Sequence, residues 1–214
     1  MTLLLGMVFL LVGFLFKITA VPFHMWSPDV YEGAPTPITA FFLIVPKAAL
    51  FGVFLRIFLE SFYDFLLPWQ KILLVSSICS MILGSVAALS QTRIKRLLAY
   101  SGIVNSGLIF LGVSSGTLEG LFSGCLCFLI YVFSSFSVWS FVGFLKKITF
   151  SFTSRLIFIT EISSLFKLNT LLGFSLLIMM FSLGGVPPLS GFFSKFYVFL
   201  SLLDSGFYSL SFFS

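Results

Sequence analysis

The chain is short of almost everything that soluble chemistry needs. Charged residues make up 9% of its 214 positions, with 7 acids, 12 bases and a single histidine, His24. One histidine builds no multi-histidine metal centre, and neither a CxxC pair nor a glycine-rich phosphate loop is present, so no metal site and no nucleotide site is expected. Cys79, Cys125 and Cys127 all lie in apolar runs, where a free thiol behaves as a small hydrophobe. Blocks of like charge are missing as well. The formal charge of +5 comes from bases scattered singly or in twos and threes, which leaves no continuous basic face and excludes nucleic acid as a partner.

What is present is apolar. At 59% hydrophobic residues and a mean hydropathy of +1.16, the composition lies outside the soluble range. The apolar runs reach the roughly 20 residues that a membrane crossing needs, so the fold class is an all-α integral membrane protein. Six helices are expected, over 2–25, 38–60, 71–90, 96–114, 119–145 and 170–203. The stretch MTLLLGMVFLLVGFLF has neither a charged n-region nor a cleavage motif and reads as a retained helix. Gly120 with Gly124, and Gly84 with Ala88, have the spacing that lets membrane helices pack closely.

Basic residues in short loops stay on the side of insertion. The 91–96 turn, QTRIKR, and the 146–169 linker hold seven bases between them and are separated by two crossings. Both are therefore placed on the matrix or cytoplasmic side, together with the proline-rich segment that follows the first helix.

The stretch FKITAVPFHMWSPDVYEGAPTPITAFFLIVPK, residues 16–47, is unlike the rest. It sets Lys17 and Lys47 inside apolar runs and puts Pro22, His24, Asp29 and Glu32 between them. Each lysine falls about nine residues from its expected helix end, roughly 13–14 Å deep and near the middle of a hydrocarbon core about 30 Å thick. A lysine at that depth costs about 2.5–3.5 kcal/mol on insertion scales, which marks Lys17 and Lys47 as proton-handling candidates. Lys195, in SGFFSKFYVF, is a third lone base, beyond a second break at Gly184, Gly185, Pro187 and Pro188. Proline removes a backbone donor and frees a carbonyl, so breaks at Pro22 and at Gly184 to Pro188 line polar cavities. AVPFH and GVPPL place a small residue, Val and Pro alike at the two breaks, a hint of inverted repeats. His24 is a possible relay or a helix-end hydrogen bonder; Asp29 and Glu32 read as solvated residues that order their loop. Asn105 with Ser101 makes a polar face, either a relay or hydrogen-bonding glue between helices.

These residues resemble a known family. The 16–47 stretch with its PDVYEGAPTP, the run RIKRLLAYSGIVNSG and the run LGGVPPLSGFFSKFYVF are similar to subunit 2 of NADH dehydrogenase, the respiratory complex I. The resemblance implies antiporter-like inverted repeats with a mid-membrane row of titratable groups. Lys17 would be the lysine of the first broken helix, Lys47 the connecting lysine and Lys195 the lysine of the second broken helix. Where the family commonly carries a histidine, this chain has Asn105, so a relay there would run through water. The implied division is 1–60 as the end of one repeat and 61–214 as an incomplete second repeat.

The expected function is a non-redox, proton-translocating membrane-arm subunit of NADH:ubiquinone oxidoreductase in the mitochondrial inner membrane. No cofactor is expected on this chain; NADH, FMN, Fe–S clusters and ubiquinone would belong elsewhere in the complex. Expected partners are the other membrane-arm subunits, lipids, and a separately encoded first half of the subunit that brings a carboxylate to Lys17. The rival readings are a stand-alone cation/proton antiporter subunit and a structural remnant within the complex. Retention of all three lysines speaks against the remnant.

Overall fold

A computed structural model of the chain describes residues 2–148, 158–159 and 170–206, with the side chains of 144–148 excepted. Helix α1 spans Thr2–Ile18, α2 Trp26–Gly33, α3 Thr36–Arg56, α4 Leu66–Leu89, α5 Ile94–Ser114, α6 Leu118–Ile148, α7 Thr170–Gly184 and α8 Ser190–Asp204. The six expected apolar runs are helical over most of their length; the first stops early, the last is split in two and a short helix forms in the expected turn, so the described residues form eight α-helices. A π-helical turn, Ile57–Ser61, extends α3.

Four of the helical segments are long and apolar enough to cross a membrane, and α1 and α7 are shorter apolar helices. Of the four, α5 is the central one: 72% of its apolar window is buried, against 28–33% for the other three. It packs on α4, α6, α2 and α8. The approach to α6 is close because glycines face each other: a Cβ on Gly112 would lie 3.1 Å from Gly124 Cα. Large apolar side chains such as Phe9, Val75, Val86 and Phe133 point outward, as a lipid-facing surface requires. The abundant phenylalanine also builds the interior: Phe54 stacks on Phe58 at 4.6 Å and meets Phe14 and Phe110 edge-on at 5.6 and 5.5 Å.

The first helix ends at Ile18 and not at residue 25, a correction that moves Lys17 into the last turn of α1. The expected polar turn that follows holds a two-turn helix, α2. Pro28 is no obstacle there, because it sits in the first turn, where its missing N–H has no intrahelical role. The last expected helix, 170–203, is interrupted where its break was expected: it is two helices separated by 185–189.

The basic loops lie together. Phe158 forms an isolated antiparallel bridge with Arg93, and Ile159 N donates to Thr92 O at 3.1 Å. The rest of the 146–169 linker beyond α6 lies outside the described residues. On the same side α2 docks on the start of α5: Arg93 and Arg96 pair with Glu32, and Arg96 also pairs with Asp29. Lys95 Nζ donates to the Ala34 carbonyl at 2.6 Å, at the end of α2 where unpaired carbonyls gather.

Candidate functional site

Both helix breaks have the same backbone design. At the end of α1, Ala20 N bonds Leu15 O at 2.9 Å and Thr19 N bonds Phe16 O at 3.3 Å, with Thr19 at φ 69°. At the end of α7, Val186 N bonds Phe181 O at 3.1 Å and Gly185 N bonds Ser182 O at 3.2 Å, with Gly185 at φ 81°. This paired 6→1 and 5→2 bonding around a left-handed residue is the Schellman stop, which satisfies orphan carbonyls and turns the chain aside. The two breaks contain the cis prolyl bonds Val21–Pro22 and Pro187–Pro188.

Side chains complete each stop. Trp26 Nε1 reaches back to donate to Phe16 O at 3.1 Å. Lys195 Nζ donates to Gly184 O at 2.8 Å, folding α8 back over the end of α7. The stem of Lys195 covers Gly185 so closely that a Cβ there would lie 2.8 Å from Lys195 Cδ. Gly185 is thus required both for its positive φ and for the room it leaves. Pro22, Pro187 and Pro188 are exposed on the described chain, as is Gly184.

Lys47 is the most deeply buried cation among the described residues, 3% exposed in the middle of α3. Its Nζ donates to Thr19 Oγ1 at 3.1 Å, so the second lysine of the 16–47 stretch is bound to the first break itself. The amine also lies 5.8 Å from the ring centroid of Tyr131, within cation–π range. Pro46, just before it, has no N–H to give the Phe42 carbonyl, so the α3 ladder loses one bond beside the lysine. Lys17, by contrast, is exposed on the surface of the described chain. It is therefore Thr19, and not Lys17, that the structure brings to Lys47.

The remaining candidates divide. His24 is 6% exposed and its Nδ1 has no partner among the described residues, while its carbonyl accepts from Ser27. Asn105 donates to Ser101 O at 2.9 Å and Ser101 Oγ to Leu98 O at 2.8 Å, so both bond the carbonyls of α5 itself. Asp29 and Glu32 are the acidic half of the α2–α5 clasp. Among the described residues no cluster of three or more His, Cys, Asp or Glu could hold a metal.

Sequence reasoning passed over three residues that the fold brings into the site. Thr19 was hidden as one polar residue in an apolar run. Tyr131, 5% exposed on α6, stands beside Lys47, and Cys127, 2% exposed, lies one helical turn away on α6, which packs against the helix that carries Lys195. A tyrosine inside FLIYVF was the available signal, since a buried phenol carries a hydroxyl that must be satisfied.

An all-helical multi-pass membrane chain with two matched helix breaks, a lysine at each and a third buried between helices is an antiporter-like membrane subunit. The family described as NADH:quinone oxidoreductase/Mrp antiporter, TM, matches residues 1–214, and the chain belongs to it. It is 48% identical over 207 residues to NADH-ubiquinone oxidoreductase chain 2 of Marchantia polymorpha, covering 97% of this chain and 41% of the relative. It is 42% identical over 210 residues to NADH-quinone oxidoreductase subunit N of Rhodospirillum rubrum, covering 98% and 42% respectively. The chain thus spans about two fifths of the length of the curated relatives it matches. Among solved structures it superposes on respiratory complex I from Thermus thermophilus with bound aureothin, with a TM-score of 0.80 and 30% identity, over 98% of this chain and 45% of that one. The Mrp complex of a Dietzia species matches with a TM-score of 0.86 at 22% identity, over 95% and 37%, a likeness of fold.

Proposed function

We propose that this chain is a subunit 2-type membrane-arm component of NADH:ubiquinone oxidoreductase, in which Lys17, Lys47 and Lys195 hold and pass protons across the mitochondrial inner membrane. The observation that carries the reading is Lys47: a cation 3% exposed, in the middle of an apolar helix, whose hydrogen-bond partner is a strained hydroxyl at a helix break. Burial of that kind is costly and a packed Leu or Met would remove the cost, so the amine is kept for what it does.

The residues of the chain divide the work. The breaks at Pro22 and at Gly184 to Pro188 expose carbonyls to polar groups and seat the lysines; His24 is a relay at the first break. Asn105 and Ser101 line α5 as hydrogen-bonding groups through which water passes protons. Asp29 and Glu32 hold α2 in place. The segment 1–60 closes one antiporter-like repeat and 61–214 belongs to the second. The 91–96 turn and the 146–169 linker face the matrix. The chain does no redox chemistry; NADH, FMN, Fe–S clusters and ubiquinone act in other subunits. Its neighbours are other membrane-arm subunits, lipids and a separately encoded portion of the subunit.

The test is Lys47→Met in the assembled complex. NADH-driven proton translocation should fall severalfold while the complex still assembles; full translocation in an intact complex would remove Lys47 from the path. Sodium-driven proton flux without NADH, in membranes where the chain fails to comigrate with NADH oxidation, would instead establish the stand-alone antiporter.

A further inference from the structure

Tyr131 is a buried phenol whose hydroxyl has no hydrogen-bond partner among the described residues. An unpaired buried hydroxyl costs about 1–3 kcal/mol, and phenylalanine would fill the same space without it. The face this hydroxyl looks onto is backbone. At Gly102 of α5 a Cβ would lie 3.1 Å from Tyr131 Oη, 3.6 Å from Leu43 Cδ2 and 4.0 Å from Lys47 Nζ, so the phenol and the amine both approach this one glycine.

The same helix face continues towards the second break. Cys127 lies four residues before Tyr131, one turn along α6, and α6 packs against α8, the helix that carries Ser194 and Lys195. The group the amine now holds is Thr19. Lysine is suited to such a position because its four-carbon stem is flexible and its three donors rotate freely.

We propose that Tyr131 is the second station of Lys47: the amine swings from Thr19 Oγ1 to Tyr131 Oη and gives up its proton there. In the transfer an N–H bond of the Lys47 ammonium breaks and its proton joins a lone pair of Tyr131 Oη. The hydrogen already on Oη leaves to water. The phenol is neutral before and after, Lys47 loses one proton and the water gains one. Thr19 is the positioning group at one end of the swing and Tyr131 the proton-transfer group at the other.

The inference rests on the reading that Lys47 carries protons, and the experiment separates the two. Tyr131→Phe, Gly102→Ala and Lys47→Met are each placed in the assembled complex, and NADH-driven proton translocation, the solvent deuterium isotope effect and thermal stability are measured. Tyr131→Phe is expected to leave stability unchanged or higher, to slow translocation about tenfold or more and to raise the isotope effect; a positioned proton-transfer group typically contributes about 10²–10⁴-fold. Gly102→Ala, whose methyl would crowd the shared face, is expected to give the same kinetic change with the phenol still present. If Lys47→Met is defective but Tyr131→Phe has native rate and isotope effect, the second station is overturned and the proposed function stands. If Lys47→Met itself is native, both fall. A loss of stability in Tyr131→Phe with Gly102→Ala native in rate would make the phenol a packing residue and overturn the proposal as well.

Discussion

Lys47 of α3 donates a 3.1 Å hydrogen bond to Thr19, and Thr19 is the one non-glycine residue among those described that has a positive φ, 69°. The position is the left-handed stop of a Schellman motif, where the matching residue at the other break is Gly185. A β-branched residue there is strained by about 1–2 kcal/mol. Glycine would relieve that strain but could not offer Lys47 an oxygen. The hydroxyl and the strain are therefore one feature: the break is shaped to aim an acceptor at a buried amine.

Thr19→Val and Thr19→Gly separate the two contributions. Valine keeps the β-branched strain and leaves Lys47 without its acceptor, so it is expected to destabilise the assembled subunit by about 1–3 kcal/mol. Glycine loses the same hydrogen bond but recovers about 1–2 kcal/mol of backbone strain, so it should lie closer to the native protein. Thermal denaturation of the complex carrying each variant reads the order. Equal stability of valine and threonine would mean that Lys47 draws nothing from this hydroxyl.

At the second break the same logic applies to Gly185. Alanine is expected to cost about 1–2 kcal/mol for the left-handed backbone, and to push the Lys195 stem off the Gly184 carbonyl. Asparagine tolerates the backbone better but brings the same Cβ. Both variants should lower proton translocation, with asparagine the more stable of the two by thermal denaturation. A Gly185→Asn complex that translocates at the native rate would show that the fit of Lys195 over this glycine is not needed.

The breaks and the lysines were legible because proline and lone charges stand out in an apolar sequence. The end of the first helix was not, since Thr19 is an ordinary residue for a helix interior and a poor one for a left-handed stop; its acceptor role comes from Lys47, 28 positions away. Likewise 26–33 reads as a turn from its proline and acids, and becomes α2 because Arg93 and Arg96 at the start of α5 hold its carboxylates. Tyr131 was illegible for a related reason: nothing local says that it will face Gly102 and Lys47. What the sequence concealed in each case is a long-range polar contact.

The α2–α5 clasp depends on its two acids unequally. The Glu32 side chain is 10% exposed and meets two arginines, whereas Asp29 is 70% exposed and meets one. Glu32→Gln is expected to cost about 1.5–3 kcal/mol, the range for hydrogen bonds to charged groups. Asp29→Asn should cost less than about 1 kcal/mol, in a salt-sensitive way. Hydrogen exchange of the α2 amides in the complex measures both, with faster exchange expected for Glu32→Gln alone. Comparable exchange in the two variants would place the anchoring of α2 elsewhere, for example in the Lys95 contact with the Ala34 carbonyl.

Lys17 is the proposed proton carrier that the described chain leaves on its surface, in the last turn of a helix whose neighbouring side chains Phe9, Leu10 and Phe16 are exposed and apolar. An ammonium set against apolar side chains and facing lipid would be costly, and Thr19 is already committed to Lys47. A carboxylate within about 4–6 Å would favour the charged amine and give the site two accessible protonation states. The six acids among the described residues lie in short turns or near helix ends, and those whose ion pairs are described bond Arg56, Arg93 and Arg96. The carboxylate is therefore expected from a helix outside this chain that covers the exposed face of α1. A structure of the assembled complex should place a Glu or Asp of that helix beside the Lys17 amine, and exchanging the pair, Lys17→Glu with a lysine in place of the acid, should restore assembly that either change alone impairs. If only apolar side chains or lipid meet Lys17, the amine has no counter-charge to cycle against and the proposed row of carriers begins at Lys47.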